Sequence, residues 1–504
     1  MSYAAAIDQL NAMVPELYTS SGQSRRKFSL DEIRVLLDAL GNPHRRFPSV
    51  LIAGTNGKGS TAATLASILT ASGVRTGLYT SPHLERANER IRLDRVEIDD
   101  DAFAALYFRV HDAARQLVLD SRLPQLPSYF EILTAQAFLY FAEHGAEIAV
   151  LEVGMGGRLD ATNSVDPLLS VITDISLDHT EWLGTTIAAI TREKAGILRA
   201  GGTMITLPQH HEANQVLGEV AAGLDVHAVS AAPYMPPIGA GTVDPYCVQA
   251  LGESIQVDSP LVGAHQHRNL ALAIAAAVEL AARHGFPITP AAIATGIHET
   301  HWPGRLERID RIQQDGVEWI LDVAHNPAGA WALRAGLSGA LESANLAPPS
   351  TTAIDPGPSD PTRVPCPILS PSSWSAAAER GIPPGFATPT GVGSSAHQRP
   401  RTLIFACLRD KPIAEMAQIL FPLFGQVIFA PIHSARAAAL CDLVAAAQAT
   451  GTPAVAAESV SQAMQLAQSQ VTQRSGNGVI VISGSVFLVG EARSLLLAER
   501  GDSR

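Results

Sequence analysis

The sequence predicts an α/β protein with two parallel-sheet domains, and three observations support this. An apolar run at 50–53 is followed by a glycine-rich loop and then by a helix-compatible run at 61–70. Apolar strand-like runs then alternate with helical patterns, an order that favours a parallel sheet covered on both sides. The alternation resumes after Trp302-Pro303-Gly304-Arg305. We therefore expect a larger domain over 1–304 and a smaller Rossmann-like α/β domain over 305–504.

Composition limits the classes of protein to which the chain can belong. Its 504 residues are too many for one core, and 46% hydrophobic with 17% charged residues is typical of a globular protein. The net charge of -12 argues against a nucleic-acid partner, which would require a basic face. The four cysteines lie far apart without C-x-x-C spacing, so the sequence predicts neither a zinc site nor a disulfide framework.

No targeting or membrane segment is predicted. The N-terminal stretch 1–15 lacks the basic start and apolar block of a signal peptide. The most apolar long run, Leu270 to Ala282, contains Glu279 and is too short to cross a bilayer, so we interpret it as a buried helix. These features and the cysteine usage predict a cytoplasmic protein without a membrane partner. No interface pattern stands out, so we expect a monomer.

The chain begins with two predicted amphipathic helices, Asp8 to Tyr18 and Leu30 to Leu40. The second follows Ser29, with Glu32 three places later, which is the spacing of a capping box.

The loop Gly54-Thr55-Asn56-Gly57-Lys58-Gly59-Ser60 lies between a predicted strand and a predicted helix N-terminus. Glycines let several backbone N–H groups point at one anion, the helix dipole adds positive charge, and Lys58 supplies a full charge. The Ser60 hydroxyl can ligate the magnesium that accompanies nucleotide phosphates. The alternative is a glycine-rich turn without a ligand. The loop predicts a P-loop-containing parallel-sheet ATPase domain over 1–304, although Gly59 separates Lys58 from Ser60, unlike the standard phosphate loop.

Two further predicted strands bring polar residues to the same edge of the sheet. The run Arg75 to Thr80 ends at Ser81, and the run Ile148 to Val153 contains Glu152 close to a glycine-rich segment. A buried carboxylate at a strand end requires a cation, so Glu152 is a candidate magnesium ligand. The alternative is a structural ion pair between Glu152 and Arg158. A long helix, Phe130 to His144, precedes the second strand and is opened by Ser128-Tyr129-Phe130-Glu131.

The strand Leu169 to Ile175 is followed by Leu177-Asp178-His179, which places His179 at the same edge. A helix opened by Gly184-Thr185-Thr186 leads to Lys194, which would ordinarily be solvated but could face this edge. Asn269, near the start of the apolar helix, could contact an adenine through its amide, although a helix cap is the simpler explanation.

The second domain is predicted from a strand at 319–323 followed by the helix Ala328 to Leu341. The stretch 346–400 is rich in Pro, Ser, Thr and Gly and predicts a disordered insertion. Further elements follow it: the strands Thr402 to Ala406, Gln426 to Ala430 and Gly478 to Ser483, and the helix Ile413 to Leu420.

Taken together, these motifs resemble one family closely: the Mur-type ATP-dependent ligases, and within them folylpolyglutamate synthase/dihydrofolate synthase. The resemblance covers nearly the whole chain except the predicted insertion. It rests on the motifs at 54–60, 80–84, 88–91, 128–131, 152–163, 177–179, 193–197, 303–305 and 322–327.

The resemblance implies ATP-dependent ligation of L-glutamate to dihydropteroate, to the γ-carboxylate of a (tetrahydro)folate glutamate, or to both, through an acyl phosphate. ATP and Mg²⁺ are the implied cofactors. The site residues implied by matching positions are phosphate contacts at Gly57, Lys58, Gly59 and Ser60; metal ligands at Ser81, Glu152 and His179; nucleotide contacts at Asn269, Arg305 and Asp322; catalytic groups at Lys58, Lys194 and His325; and a pterin-side pocket of Ser128, Tyr129, Phe130, Glu131, Leu159, Asp160 and Ala161.

Within this resemblance, Lys194 matches a lysine that is carbamylated by CO2, and Asp322 and His325 match residues that close over ATP. A peptidoglycan-precursor Mur ligase is the nearest alternative, but the motifs at 80–84 and 128–131 match the folate branch and no separate UDP-binding domain precedes the loop. A nucleotide-dependent switch is a further alternative, in which Glu152, His179 and Lys194 would have little purpose.

Overall fold

The computed structural model describes residues 2–13, 29–237, 245–311, 317–344, 401–474 and 478–499. The predicted insertion at 346–400 lies outside the described residues. The strands are β1 (Ser49–Ala53), β2 (Thr76–Tyr79), β3 (Ile91–Leu93), β4 (Val96–Glu97), β5 (Ile148–Glu152), β6 (Leu169–Ile172), β7 (Thr203–Thr206), β8 (His227–Ser230), β9 (Tyr246–Ala250), β10 (Glu253–Val257), β11 (Glu307–Arg311), β12 (Val317–Asp322), β13 (Arg401–Phe405), β14 (Gln426–Phe429), β15 (Ala454–Ala456) and β16 (Gly478–Ser483).

Helices cover both sheets. They are α1 (Tyr3–Ala12), α2 (Asp31–Ala39), α3 (Lys58–Ala71), α4 (Asp100–Leu119), α5 (Tyr129–Glu143), α6 (Thr180–Leu183), α7 (Ile187–Ala195), α8 (His211–Gly223), α9 (Ala264–His284), α10 (Pro290–His298), α11 (Pro327–Ala344), α12 (Ile413–Leu420), α13 (Leu440–Thr450), α14 (Val460–Arg474) and α15 (Val486–Glu499). Among the described helices, none combines the length and the apolar character needed to cross a membrane.

The first sheet has eight strands in the order β4-β3-β2-β5-β1-β6-β7-β8. The six strands from β2 to β8 in this order are parallel, with β1 in register against β5 (Val50 opposite Val150) and β6 (Val50 opposite Leu169). The strands β3 and β4 add an antiparallel edge beside β2. Because the carboxyl ends of parallel strands meet at one edge, the loops after β1, β2, β5 and β6 lie together.

The second sheet has six strands in the order β11-β12-β16-β13-β14-β15. All its pairs are parallel except β11 with β12. The α/β fold class predicted from the sequence is thus confirmed, with two separate sheets. The change of sheet falls between the end of α10 at His298 and the start of β11 at Glu307; a domain boundary at 304/305 remains a proposal.

The helices adjoining the glycine loop are apolar on all sides because they are packed between layers. All side chains from Gly59 to Leu69 in α3 are buried, and α9 is buried from Asn269 to Ala277. These two helices and α10 share one apolar core against the face of the first sheet that carries Val50 and Ile52. The phosphate loop therefore sits on a rigid, fully packed support.

Several predicted boundaries were wrong, each for a local reason. Helix α3 begins at Lys58 rather than Thr61. Ser29 is not the N-cap of α2: Leu30 is the N-cap and α2 begins at Asp31, while the Ser29 hydroxyl donates to Asp31 Oδ2 and accepts from Asp31 N. The first helix spans Tyr3–Ala12, and residues 14–18 of its predicted range lie outside the described residues.

Short strands were missed, including β3, β4, β8, the hairpin β9–β10, β11 and β15. Several of them are two to four residues long and lie at sheet edges, where half-exposed positions weaken the apolar pattern. The predicted helix of Phe130 to His144 is confirmed as α5, and the structure adds that Ser128 caps it and forms a capping box with Glu131.

Candidate active site

A cavity of about 520 Å³ lies between the two sheets, at the carboxyl ends of the parallel strands of the first. Every residue predicted to bind nucleotide or metal, or to act in catalysis, lines it. These are Gly57, Lys58, Gly59, Ser60, Ser81, Glu152, His179, Lys194, Asn269, Arg305, Asp322 and His325.

The glycine loop is shaped by close contacts that exclude side chains. Gly57 has φ +88°, and a Cβ there would lie 2.1 Å from Asn269 Oδ1. A Cβ on Gly59 would lie 2.8 Å from the ring of Trp302. Each of these two positions therefore requires glycine. The resulting loop leaves the first N–H groups of the fourteen-residue helix α3 available to an anion. The Lys58 amine donates to the Thr55 carbonyl at 3.3 Å.

Asn269 supports this loop and is not a helix cap. It lies inside α9, is 5% exposed, and donates through Nδ2 to Gln266 Oε1 at 2.8 Å. Its Oδ1 faces Gly57, so the amide fixes the close approach of α9 to the loop.

Glu152 ends β5 and is 5% exposed. Its Oε2 accepts a hydrogen bond from Ser81 N at 3.2 Å. Burial raises the pKa of Glu152, against the opposing effects of Lys58, the Ser81 N–H and Arg305. The alternative ion pair with Arg158 was wrong, because the Arg158 guanidinium bonds instead to Glu193 at 3.0 and 3.2 Å. The negative charge of the buried Glu152 carboxylate is therefore only partly compensated by the protein. A bound divalent cation would supply the remaining compensation.

Ser81 and His179 complete the candidate metal ligands. Ser81 follows β2, and His179 follows β6 in the left-handed conformation, with φ +50°. Burial, more than any neighbouring charge, lowers the pKa of His179 to about 3, so the ring is neutral at physiological pH and can donate a lone pair. A hydroxyl and a carboxylate are hard oxygen ligands that suit Mg²⁺, and this donor set fits such an ion.

Lys194 reaches the cavity from α7 and is not solvated. It is 4% exposed, and its amine donates to the Gly54 carbonyl at 2.8 Å. Burial and then the nearby Lys58 lower the pKa of Lys194 to about 7, although Asp178 and Asp160 oppose this. Within the described part of the chain, no carboxylate lies within ion-pair distance of this amine.

The second domain contributes a wall whose polar groups are already bonded. Asp322 Oδ2 accepts from Leu306 N and Oδ1 from Ala324 N, both at 2.9 Å. Burial raises the pKa of Asp322, opposed by Arg305 and His265. Burial lowers the pKa of Arg305, whose Nη1 donates to the Gly304 carbonyl at 3.1 Å.

His325 is held in one tautomer. Its Nδ1 lies 2.9 Å from the Val323 carbonyl, which can only accept, so Nδ1 carries the proton and Nε2 has a free lone pair. Burial and then Lys411 lower the pKa of His325 to about 4. A neutral His325 is thus available as a proton acceptor.

Sequence reasoning did not single out Asp178 and Lys411, which form a buried ion pair across the cleft with 2.7 Å between Lys411 Nζ and Asp178 Oδ1. Asn326 Nδ2 donates to Asp178 Oδ2 at 3.1 Å and to Asn56 Oδ1 at 3.0 Å. Burial would raise the pKa of Asp178, but His179, Lys411 and His325 together hold it well below its usual range. Asp178 stands in the predicted motif Leu177-Asp178-His179, whereas the local sequence around Lys411 gives no signal of its partner.

A second cavity, of about 130 Å³, contains most of the predicted pterin-side residues. Its lining includes Ser128, Phe130, Glu131, Leu159, Asp160 and Ala161. Trp182 and the Arg158–Glu193 pair also line it. Both cavities share Met155, Gly156 and Leu183 as lining residues, so they are neighbours.

The polar residues of this second cavity already have structural partners. The Ser128 hydroxyl donates to Glu131 Oε2 at 2.8 Å within the capping box. Asp160 accepts from Met155 N, Thr162 N and the Thr162 hydroxyl. Tyr129 is not among the lining residues; its ring lies under the Arg90 guanidinium at 5.4 Å.

Comparison with known proteins identifies relatives over most of the chain. Residues 52–277 match the Mur ligase middle domain. The chain is 36% identical over 334 residues to folylpolyglutamate synthase of Lacticaseibacillus casei, covering 65% of this chain and 75% of that protein. It is 37% identical to dihydrofolate synthase/folylpolyglutamate synthase of Bacillus subtilis, covering 60% of this chain and 70% of that protein.

The whole architecture also matches a solved structure. Folylpolyglutamate synthase of Mycobacterium tuberculosis complexed with ADP aligns with a TM-score of 0.77 and 30% identity, over 98% of this chain and 99% of that one.

Proposed function

Because this chain belongs to the folylpolyglutamate synthase/dihydrofolate synthase family of Mur-type ligases, we propose that it ligates L-glutamate to dihydropteroate, to the γ-carboxylate of a (tetrahydro)folate glutamate, or to both, using ATP. The observation that carries the proposal is the pair of adjoining cavities. One contains the phosphate loop and the other contains the predicted acceptor residues. An acceptor bound in the smaller cavity would therefore lie next to a nucleotide bound in the larger one.

In the proposed reaction, a carboxylate oxygen of the acceptor attacks the γ-phosphorus of ATP, and ADP leaves. The glutamate amine then attacks the acyl phosphate, loses a proton, and expels inorganic phosphate through a tetrahedral intermediate. Such phosphoryl transfer depends on positioned cations more than on acid-base groups. Lys58 and Arg305 supply positive charge, and the N-terminus of α3 binds the phosphates at Gly57, Lys58, Gly59 and Ser60.

Ser81, Glu152 and His179 would hold Mg²⁺. The ion would neutralise charge on the phosphates during transfer. Asn269 and Asp322 are proposed to complete the nucleotide side of the cavity.

Lys194 is proposed to be carbamylated by CO2. The neutral amine is the form that reacts, and the lowered pKa of Lys194 makes this form accessible near pH 7. A carbamate would replace an uncompensated buried ammonium by an anionic oxygen ligand for a second Mg²⁺. An intact mass under non-acidic conditions without the added carbamate, or full activity of Lys194→Ala, would contradict this proposal.

His325 is proposed to accept the proton that the attacking amine loses, since its Nε2 carries a lone pair. It belongs to the second domain, so closure of the two domains would precede chemistry. On the acceptor side, we propose that Phe130, Leu159 and Ala161 contact the pterin, with Ser128, Glu131 and Asp160 fixing the shape of the pocket. The predicted contact of Tyr129 would require its ring to move away from Arg90.

We further propose that the protein acts in the cytoplasm as a monomer. The described cysteines Cys247, Cys407 and Cys441 are free thiols, which supports a reducing compartment. Light scattering coupled to size-exclusion chromatography would test the oligomeric state.

The test of function is ADP release by the purified protein with Mg-ATP and L-glutamate, comparing dihydropteroate, tetrahydrofolate and no acceptor. Turnover with both acceptors would establish two activities, and turnover with one would identify the single activity. If neither acceptor raises ADP release above the glutamate-free rate, the proposed function is wrong.

A further inference from the structure

Helix α15 of the second sheet domain packs directly on the loop that follows Ser81. A Cβ on Gly490 would lie only 1.9 Å from the Leu84 carbonyl oxygen, so the helix and the loop backbone touch. The Leu84 side chain packs against the apolar cluster of the second domain that includes Leu488 and Val489. The loop carrying a candidate metal ligand is therefore part of the interdomain contact.

Arg493, on the same helix, binds two carboxylates from different parts of the chain. Its Nη1 lies 2.6 Å from Glu85 Oε1, and its Nε lies 3.0 and 3.1 Å from the two oxygens of Glu307. The Ser494 hydroxyl donates to Glu85 Oε2 at 2.7 Å. The side chains of Arg493, Glu85 and Glu307 are 15%, 24% and 20% exposed, so solvent screens these bonds less than those of a surface pair.

Glu85, one of the two carboxylates that Arg493 binds, belongs to the loop that carries the candidate metal ligand Ser81. The Glu89 carboxylate accepts hydrogen bonds from the N–H groups of Leu84, Glu85 and Arg86 at 2.7, 2.7 and 2.6 Å. These bonds make the loop compact, so displacement at Glu85 would be transmitted along it. At its other end, Ser81 N donates to Glu152.

Glu307, the other carboxylate that Arg493 binds, is connected to the segment that carries Arg305. Glu307 Oε2 also accepts from Gly304 N at 2.8 Å, next to Arg305, which lines the large cavity. Gly304 itself has φ +72°, and a Cβ there would lie 3.4 Å from Leu84 Cδ1. The loop, the linker and the helix thus meet at one point.

We propose that Arg493 is a positioning residue: its guanidinium fixes the Ser81 loop and the Arg305 linker together and so sets the affinity of the nucleotide site for Mg²⁺ and ADP. Arg493 is not among the residues that line the cavity, so its effect is indirect. The inference rests on the proposed function for the assignments of Ser81 and Arg305. A structural role alone would change stability without changing the Mg²⁺ dependence of nucleotide binding.

The experiment measures ADP affinity by calorimetry at a series of Mg²⁺ concentrations, together with the Tm, for the wild type, Arg493→Met and Arg493→Lys. We expect Arg493→Met to weaken Mg²⁺-dependent ADP binding about tenfold, since it releases both carboxylates. Arg493→Lys should be intermediate, because an ammonium cannot replace the fork that serves two partners. Ser494→Ala removes one bond to Glu85, and we expect a smaller change of the same kind.

Arg308→Met is the matched control. Arg308 follows Glu307 on β11, so its side chain lies on the opposite face of the strand, where its Nε bonds to Glu318 at 2.6 Å. We expect it to lower the Tm without changing ADP affinity. If Arg493→Met and Ser494→Ala also lower only the Tm, with the Mg²⁺ dependence unchanged, the positioning role is overturned; Ser494→Ala keeps this test available if Arg493→Met does not fold.

Ligation by the wild type is assayed in parallel and separates the two proposals. Mg²⁺-dependent ADP binding that responds to Arg493, in a protein that does not ligate glutamate, would support the positioning role and overturn the proposed function. Normal ligation by the wild type, together with unaltered Mg²⁺-dependent ADP binding by the Arg493 variants, would support the proposed function and overturn the positioning role.

Discussion

Two buried lysines at the cleft, Lys194 and Lys411, have opposite surroundings. Lys411 is 7% exposed and its amine pairs with the Asp178 carboxylate at 2.7 Å. Lys194 is 4% exposed and its amine donates to a backbone carbonyl, with the positively charged Lys58 nearby. Burial of an ammonium is unfavourable unless a counterion compensates it. Lys411 has its counterion within the protein, whereas none of the described carboxylates pairs with Lys194.

We propose that this difference separates a structural charge, that of Lys411, from a functional one, that of Lys194. The compensated pair of Lys411 and Asp178 joins the first sheet to the second. A protonated Lys194 without a paired carboxylate destabilises the folded protein, and in the proposed function a bound anion or the proposed carbamate would remove this cost. Glu152 is the acidic counterpart of Lys194, since burial raises its pKa and, among the described residues, its carboxylate accepts a hydrogen bond from Ser81 N.

Substitution of Lys411 is expected to have the largest effect on stability. Lys411→Met leaves the Asp178 carboxylate buried without its cation, and we expect the free energy of unfolding to fall by about 3–5 kcal/mol. Denaturant unfolding measures it. The double variant Lys411→Met/Asp178→Asn removes both charges and should regain part of the loss; a double variant no more stable than the single one would mean that Lys411 acts through packing.

Lys194→Met should have the opposite effect on stability and a large effect on activity. We expect ADP release to fall about 10²–10³-fold, as for loss of one preorganised electrostatic group. The Tm of the nucleotide-free variant should rise, because an uncompensated buried ammonium is removed. Parallel turnover and thermal-unfolding assays test this, and a lower Tm would show that the Lys194 amine is compensated in the folded protein.

The stability difference between Lys194→Met and the wild type should depend on pH. The folded pKa of Lys194, about 7, lies below its ordinary value of 10.5, so between these values the unfolded chain binds more protons. The destabilisation by Lys194 is therefore complete below pH 7 and declines as pH rises towards 10.5. Thermal unfolding across this range, without CO2, nucleotide and metal, should show the two Tm values converging; parallel curves would contradict the lowered pKa.

Substitution of Arg192, two residues before Lys194, is expected to have the smallest effect. Arg192 lies on α7 with Lys194 but is exposed. Arg192→Met makes the same change of charge, and we expect a change in unfolding free energy within about 0.5 kcal/mol and turnover close to the wild type. A loss comparable to that of Lys194→Met would mean that α7 as a whole, and not the buried amine, determines the effect.

The sequence by itself determined which residues lie at the carboxyl edge of the first sheet. The run Val50 to Ala53, the glycines at 54–59 and the helix that follows are local signals, and local signals fix where a strand ends and a helix N-terminus begins. Glu152 and His179 were placed at the same edge for this reason, since carboxyl ends of parallel strands converge. The helix that begins after Ser128 was likewise predicted from its local pattern.

Only the tertiary structure decided which partners these residues have. Arg158 pairs with Glu193 rather than Glu152, and Asn269 supports Gly57 rather than capping a helix. The contacts that cross the cleft join residues far apart in sequence, by 233 positions for Asp178 with Lys411 and by 408 for Glu85 with Arg493. No periodicity or spacing encodes such a pair, because its distance depends on how two complete sheets pack against each other.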